Sequence, residues 1–261
     1  MDRPLSVVAL RCRTSDRTPG GARGAESLAL ALDPGARMIG TPDHLIAPYD
    51  EDLRDSRGCL LEAGGQVEDL LGAGRFPVLT ASDCSICMTT FASVVRHAPD
   101  AHVLWLDAHG DFNTPETTPS KFLGGMCLSA ACGVWDAGFP PSLDPARVVM
   151  CGVRDLDPGE RVLVETKGVV NARPSEVVDA LRGRQVYVHL DLDVLDPEVL
   201  PSQFAVPHGL SDSGLRALLA DVAGACELIG VEVTAFEAPE DAGERARRTD
   251  LVASIVRSLL P

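Results

Sequence analysis

The sequence predicts a three-layer αβα fold with a mostly parallel central sheet, on two observations. Short runs rich in Val, Leu and Ala recur at residues 7–10, 77–80, 102–106, 147–151, 186–190 and 228–233. Longer segments at 24–32, 54–71, 85–96, 174–183 and 211–223 separate most of these runs and read as crossover helices. A parallel sheet buried on both faces needs continuous apolar strands rather than alternating ones, and these runs are continuous. After the first strand, Gly20, Gly21 and Gly24 lack both the G-x-G-x-x-G order and a Walker lysine, so they are expected as turn glycines rather than a phosphate loop. Between the third run and residue 123, the segment 111–123 carries Asn, Thr, Pro and Ser and is expected to be an exposed loop.

The chain has 261 residues, 45% of them apolar, and composition does not shift along it, so one domain over residues 1–261 is expected. Its net charge of −15 repels phosphate backbones and anionic headgroups, which argues against nucleic-acid and membrane-surface roles. No apolar run approaches the ~18 residues of a membrane span, and the stretch 5–10 is too short for a signal-peptide core, so a cytoplasmic protein is expected. Eight scattered cysteines without a secretory signal make a disulfide framework unexpected, and most are expected as buried thiols. Aromatic residues are 4% of the chain, too few for stacking platforms. Chemistry is therefore sought in polar clusters.

Two strands end in such clusters. The third run leads into Asp107-Ala108-His109-Gly110-Asp111, three ligand types spaced two apart, which share a face while the chain stays extended. The fifth leads into His189-Leu190-Asp191-Leu192-Asp193-Val194-Leu195-Asp196-Pro197. Carboxylates crowded at adjacent strand ends repel one another unless cations neutralise them, and oxygen donors with one or two nitrogens suit Mn²⁺, Mg²⁺ or Fe²⁺. A single D-x-D is more simply a cap or a solvated strand end; two clusters, one holding a histidine, favour metal.

With Val153-Arg154-Asp155-Leu156-Asp157-Pro158-Gly159-Glu160, these segments resemble the ureohydrolase family, arginases and agmatinases that hydrolyse guanidines at a two-manganese centre. The resemblance implies that Asp107, Asp111 and Asp191 hold one ion and Asp107, His109, Asp191 and Asp193 the other, and that metal-bound hydroxide attacks the guanidine carbon. Asp111 would also accept that nucleophile's proton. The loop from Asp111 to Ser120 is similar to the arginase loop in which the counterparts of Asn113, Thr118 and Ser120 bind a substrate carboxylate, while Asp155 and Asp157 match acids near its α-amino group. A guanidino amino acid, rather than agmatine, is the implied small-molecule partner, and a homo-oligomer, trimer or hexamer, is implied by the family alone.

Three positions depart from the pattern. Ala81-Ser82-Asp83-Cys84-Ser85 puts Cys84 where the family has a histidine ligand, which adds negative charge and a soft sulfur and weakens the first of one or two manganese sites. Gly124 falls where arginase has a proton-shuttling histidine. Ala235 falls where the family has a guanidine-pairing Glu, and Glu237 is a substitute two residues on, on the same face of an extended segment. Cys84 and Gly124 with the Gly110–Thr118 string resemble the branch of the family that converts Nω-hydroxy-L-arginine to L-ornithine and hydroxyurea in antibiotic biosynthesis. Arginase itself, another amidine hydrolase, or a non-catalytic metabolite-binding relative are the alternatives. Cys84-Ser85-Ile86-Cys87 is formally a redox C-x-x-C, but that reading leaves both acid clusters unexplained. His189 is either a donor behind the ligands or a core histidine, Trp105 is strand packing, and His44, His97, His102 and His208 carry no chemistry.

Overall fold

In a computed structural model describing residues 3–15, 17–43 and 45–260, eight strands form one sheet. They are β1 (Leu5–Leu10), β2 (Arg37–Ile39), β3 (Phe76–Thr80), β4 (His102–Leu106), β5 (Val148–Cys151), β6 (Val170–Ala172), β7 (Gln185–Asp191) and β8 (Glu227–Thr234), in the order β2-β1-β3-β8-β7-β4-β5-β6. Every pairing is parallel. The six apolar runs are the six inner strands. The two strands the sequence reading missed are the edges, three residues each, and such short edge strands limit pairing with other chains.

Alternate residues of the inner strands feed two cores. Val7, Ala9, Val188 and Leu190 pack with α1 (Pro19–Leu32), α6 (Pro174–Leu181), α7 (Asp212–Ala225) and α8 (Ala242–Arg257). Val8, Leu10, Trp105 and Tyr187 pack with α2 (Tyr49–Gly72), α3 (Cys87–His97), α4 (Cys127–Ala131) and α5 (Pro158–Lys167) on the opposite face. This is the expected three-layer arrangement. Helices α4, α5 and α8 lay outside the sequence expectation. No helix among the described residues is long and apolar enough to cross a membrane.

Three expectations need correction. Gly20, Gly21 and Gly24 are not turn glycines: they lie in the first turns of α1, which starts at Pro19 behind the N-cap Thr18. A Cβ on Gly24 would stand 1.7 Å from the Phe236 carbonyl oxygen, and one on Gly21 2.7 Å from Ser82 Cβ, so bare backbone is what lets α1 press against two strand ends. The 111–123 segment is not simply exposed, because residues 111–114, Thr118 and Leu123 are buried and only its tip faces solvent. Of the eight cysteines, Cys12 and Cys59 form a disulfide that ties the end of β1 to α2. Six are free, four of them buried, while Cys132 and Cys226 are half-buried. His44 lies outside the described residues.

Candidate metal centre and cavity

Four adjacent strands, β3, β8, β7 and β4, end on one side of the sheet, and the chain leaving each carries polar groups into a common cavity of about 230 Å³. Ligands gather at carboxyl ends of parallel strands because each chain turns away there and opens a crevice. Asp107 follows β4. Its Oδ1 accepts the His109 backbone N–H at 2.7 Å, while its Oδ2 is buried without a hydrogen-bond partner among the described residues. His109 Nδ1 lies 3.4 Å from Asp107 and 3.1 Å from Asp193 Oδ2, and Asp193 Oδ1 accepts Ala108 N–H at 3.0 Å. Asp191 closes β7, its Oδ1 accepting Asp193 N–H at 2.7 Å and its Oδ2 accepting the Cys84 thiol at 2.9 Å. Asp193 sits in the 3₁₀ turn after the strand, so the two-residue alternation ends at Asp191 and the turn delivers the second acid.

Ligand atoms of Asp107, His109 and Asp193 lie within 4.8 Å of one another, as do those of Cys84, Asp107 and His189. Burial, with mutual repulsion, pushes Asp107, Asp111 and Asp191 well above the ordinary carboxylate range. Burial acts on Asp193 too, but the His109 hydrogen bond and charge outweigh it and hold this acid low. Burial likewise opposes a charge on His109, yet the hydrogen bonds that it donates to Asp107 and Asp193, with their charges, raise it to about 12. Such a cluster ionises only with positive charge among the acids and otherwise holds protons, and the unpartnered Asp107 Oδ2 leaves an oxygen lone pair for a cation. A divalent cation fits this donor set.

His189 lies beside the cluster and is satisfied within the core. Fully buried, it stacks on Trp105 at 3.7 Å and bonds Glu232 Oε1 through Nδ1 at 2.6 Å, with Tyr187 also bonded to Glu232. Its Nε2 faces Thr234, whose hydroxyl meets Cys84 Sγ at 3.0 Å. Asp111 takes a left-handed backbone, φ 48°, held by Leu128 and Ser129 N–H groups on its carbonyl, and its Oδ2 accepts the Cys127 thiol at 3.7 Å. Cys84 and Cys87 are separate buried thiols, each pushed up by burial, which keeps both in the less reactive protonated form.

The outer cavity holds Asn113, Ser120, Asp155 and Asp157. Asn113 Nδ2 donates to Asp157 Oδ2 at 3.0 Å, and Asp155 forms a parallel bridge with His109 that sets it beside the cluster. Thr118 does not line the cavity; its hydroxyl lies 3.3 Å from that of Ser120 and accepts Lys121 N–H. Both Ala235 and Glu237 line the wall, though not by strand alternation. Strand β8 ends at Thr234, Ala235 is left-handed at φ 58°, and Glu237 is fixed by the Thr18 hydroxyl at the start of α1.

Several residues were missed from sequence. Glu160 accepts N–H groups of Phe112 and Asp157 at 2.8 and 3.1 Å and, chiefly through burial, is raised to about 7. The signal was there, since Asp157-Pro158-Gly159-Glu160 has the capping-box form. Asp83 faces the cavity with Ser15 and Ser85 N–H as donors. Arg154 donates to the carbonyls of Gly152, Asp193 and Val206 at 3.0, 2.9 and 2.7 Å, pinning the chain around Asp193 to the loop that brings Phe204 to the cavity rim. Arg17 also lines the wall. No local pattern marks Asp83, Arg154 or Arg17 as part of the site, because Ser15, Asp193 with Val206, and Phe122, the partners that place them there, are far along the chain.

The sequence profile of the Arginase family matches residues 46–260. The chain is 36% identical to the Nω-hydroxy-L-arginine amidinohydrolase of Streptomyces lavendulae across 98% of this chain and 96% of the relative. It is 35% identical to the arginase of Bacillus caldovelox across 65% of this chain and 64% of that one. The native structure of Bacillus caldovelox arginase superposes with a TM-score of 0.84 at 26% identity, covering 98% of each chain.

Proposed function

This chain belongs to the arginase family of hydrolases that act on amidino C–N bonds, and from that premise we propose that it hydrolyses Nω-hydroxy-L-arginine to L-ornithine and hydroxyurea with manganese as its metal. The observation that carries the substrate is Gly124. The proton-carrying side chain expected in an arginase is absent from this wall, and a Cβ there would lie 2.6 Å from Phe122 Cε1 and 2.9 Å from Asp83 Oδ2, so both side chains would have to shift to admit one. Hydrolysis of a plain guanidinium needs its leaving amine protonated; an N-hydroxyl group makes the guanidine less basic and easier to attack, so that substrate tolerates the missing group. The 36% identity to a hydroxyarginine amidinohydrolase over nearly the whole chain supports the same substrate.

In this reading Asp107, Asp111, Asp191 and Cys84 would hold one ion and Asp107, His109, Asp191 and Asp193 the other. Bound manganese supplies Lewis acidity that makes water nucleophilic near neutral pH. Asp111, held by the Leu128 and Ser129 N–H groups, accepts the attacking water's proton. Asn113 and Ser120 take the substrate carboxylate, with Thr118 orienting the Ser120 hydroxyl, while Asp155 and Asp157 face its ammonium group. Glu237, fixed by Thr18, faces the guanidine in place of the Glu absent at Ala235.

The test is to offer the manganese-loaded protein Nω-hydroxy-L-arginine, L-arginine and agmatine side by side and score ornithine, putrescine, urea and hydroxyurea. Preferential release of hydroxyurea supports the proposal. Faster turnover of arginase's substrate, or turnover of none, overturns it. The same reading includes assembly into a homo-oligomer, and a monomeric mass by light scattering would remove that part.

A further inference from the structure

We infer that Arg17 is the charged partner of the substrate's carboxylate, the residue that makes this site select an amino acid over the corresponding amine. The inference rests on the proposed function and assigns a role to a residue outside the acid clusters.

Nine carboxyl side chains line the cavity among the described residues, and Arg17 is the one Lys or Arg that does. Bound metal would offset Asp107, Asp111, Asp191 and Asp193; the five other acids, with Asp155 and Asp157 at the outer end, draw in a cationic amine and repel a carboxylate on the same molecule unless one cation is placed to receive it. The neutral donors Asn113 and Ser120 orient a carboxylate but do not offset that repulsion.

Arg17 is set up for this. Its guanidinium lies over the Phe122 ring, 4.7 Å from the centroid, which holds it in place without occupying its N–H groups. Its Nε is buried without a hydrogen-bond partner, and Arg17 makes no ion pair among the described residues. The nearby acid on α2, Asp52, is already taken by Arg13, which also reaches Asp55 at 3.5 Å. The location is right as well: Phe122 N–H donates to the Ser120 hydroxyl at 3.3 Å, so the ring under Arg17 belongs to the loop that carries the carboxylate donors. An unpaired planar fork beside those donors matches a carboxylate in bidentate geometry.

The test compares Arg17→Gln and Arg17→Lys with the parent, on Nω-hydroxy-L-arginine and on its decarboxylated analogue N-hydroxyagmatine. Arg17→Gln is expected to raise KM for the amino acid by roughly ten- to a hundredfold, the scale of a lost charged hydrogen bond. Most of the loss should sit in KM rather than kcat, so the preference for the amino acid over the amine collapses. Lysine should recover part of it. Calorimetric titration gives an independent readout: L-ornithine should bind Arg17→Gln more weakly by a similar factor, with putrescine showing no such loss. Unchanged ornithine affinity and KM in Arg17→Gln overturn the inference and leave the proposed function standing. A parent protein that neither binds ornithine nor turns over the amino acid removes both.

Discussion

Replacing Cys84 by histidine tests the metal centre most directly. The thiol is 4% exposed, hydrogen-bonded to Asp191 and Thr234, and pushed well above its ordinary value of 9.0 by burial and by the charges of Asp191, Asp107, Asp111 and Asp83. A thiol ligates as thiolate, so at pH 7 even a thiol at 9.0 lies two pH units below ionisation, about 2.7 kcal/mol and a hundredfold in affinity. Imidazole binds metal in its neutral form, and at its ordinary value of about 6.5 it gives up a proton far more readily than a thiol, although these acids, which lift His109 to about 12, take back part of that advantage. Cys84→His is therefore expected to tighten manganese at the first site by up to about a hundredfold at pH 7. The sign with pH follows: ligation by Cys84 releases a proton throughout the range below the raised thiol pKa, so parent affinity keeps rising with pH there, whereas the rise in the variant ends once its imidazole is neutral. Metal content after dialysis and isothermal titration at pH 6.5, 7.5 and 8.5 read both effects. Equal affinity and equal slopes in the two proteins would mean that Cys84 holds no metal, and the ligand assignment built on it would fall.

Other expectations address the wall, the helix packing and the cysteines. Glu237→Gln should lower kcat/KM at least tenfold, while the exposed Glu198→Gln stays within about twofold; equal effects would remove Glu237 from the site. Gly24→Ala, whose Cβ would meet the Phe236 carbonyl at 1.7 Å, should cost about 3 kcal/mol or more in urea unfolding, since backbone rather than a flexible side chain must move. An undisturbed midpoint would show that α1 has slack there. Denatured without reductant, the protein should present six reactive thiols, and Cys59→Ser should lose up to about 4 kcal/mol, the loop-entropy value for a separation of 47 residues. Eight reactive thiols would show that Cys12 and Cys59 are not bonded.

The inner strands were legible because burial on both faces forces an unbroken apolar run, and nothing else in the chain looks like one. Residues 37–39 and 170–172 were not, since an edge strand of three residues carries Arg or Asn and has no pattern to read. Helix α8 begins Ala-Gly-Glu-Arg-Ala-Arg-Arg, a charged start that hides the apolar face formed by Val252, Ala253, Ile255 and Val256. Gly20, Gly21 and Gly24 were misread as turn glycines because only the strand end that touches Gly24, over two hundred residues away, explains the missing side chain. At the site, Asp107, His109, Asp191 and Asp193 were readable because their strands announce them. Glu237 was placed in the right cavity for the wrong reason: a left-handed Ala235 and the Thr18 hydroxyl, not strand alternation, put it there.

The place of β8 has a consequence for how the protein is made. It is the last strand synthesised, yet it lies in the middle of the sheet between β3 and β7. Strands β4 and β7 are direct neighbours, so a growing chain that has released residue 200 already holds Asp107, His109, Asp191 and Asp193 on elements able to pair. Cys84 rides on the end of β3, which reaches that pair only across β8. Emergence from the ribosome thus separates the two halves of the centre in time, with the His109 half formed first and the Cys84 half waiting for residues 227–234 to insert. Non-local closure of this kind is slow, and until it happens the inner edges of β3 and β7 stand open to other chains. Metal captured early by the first half would shorten that exposure.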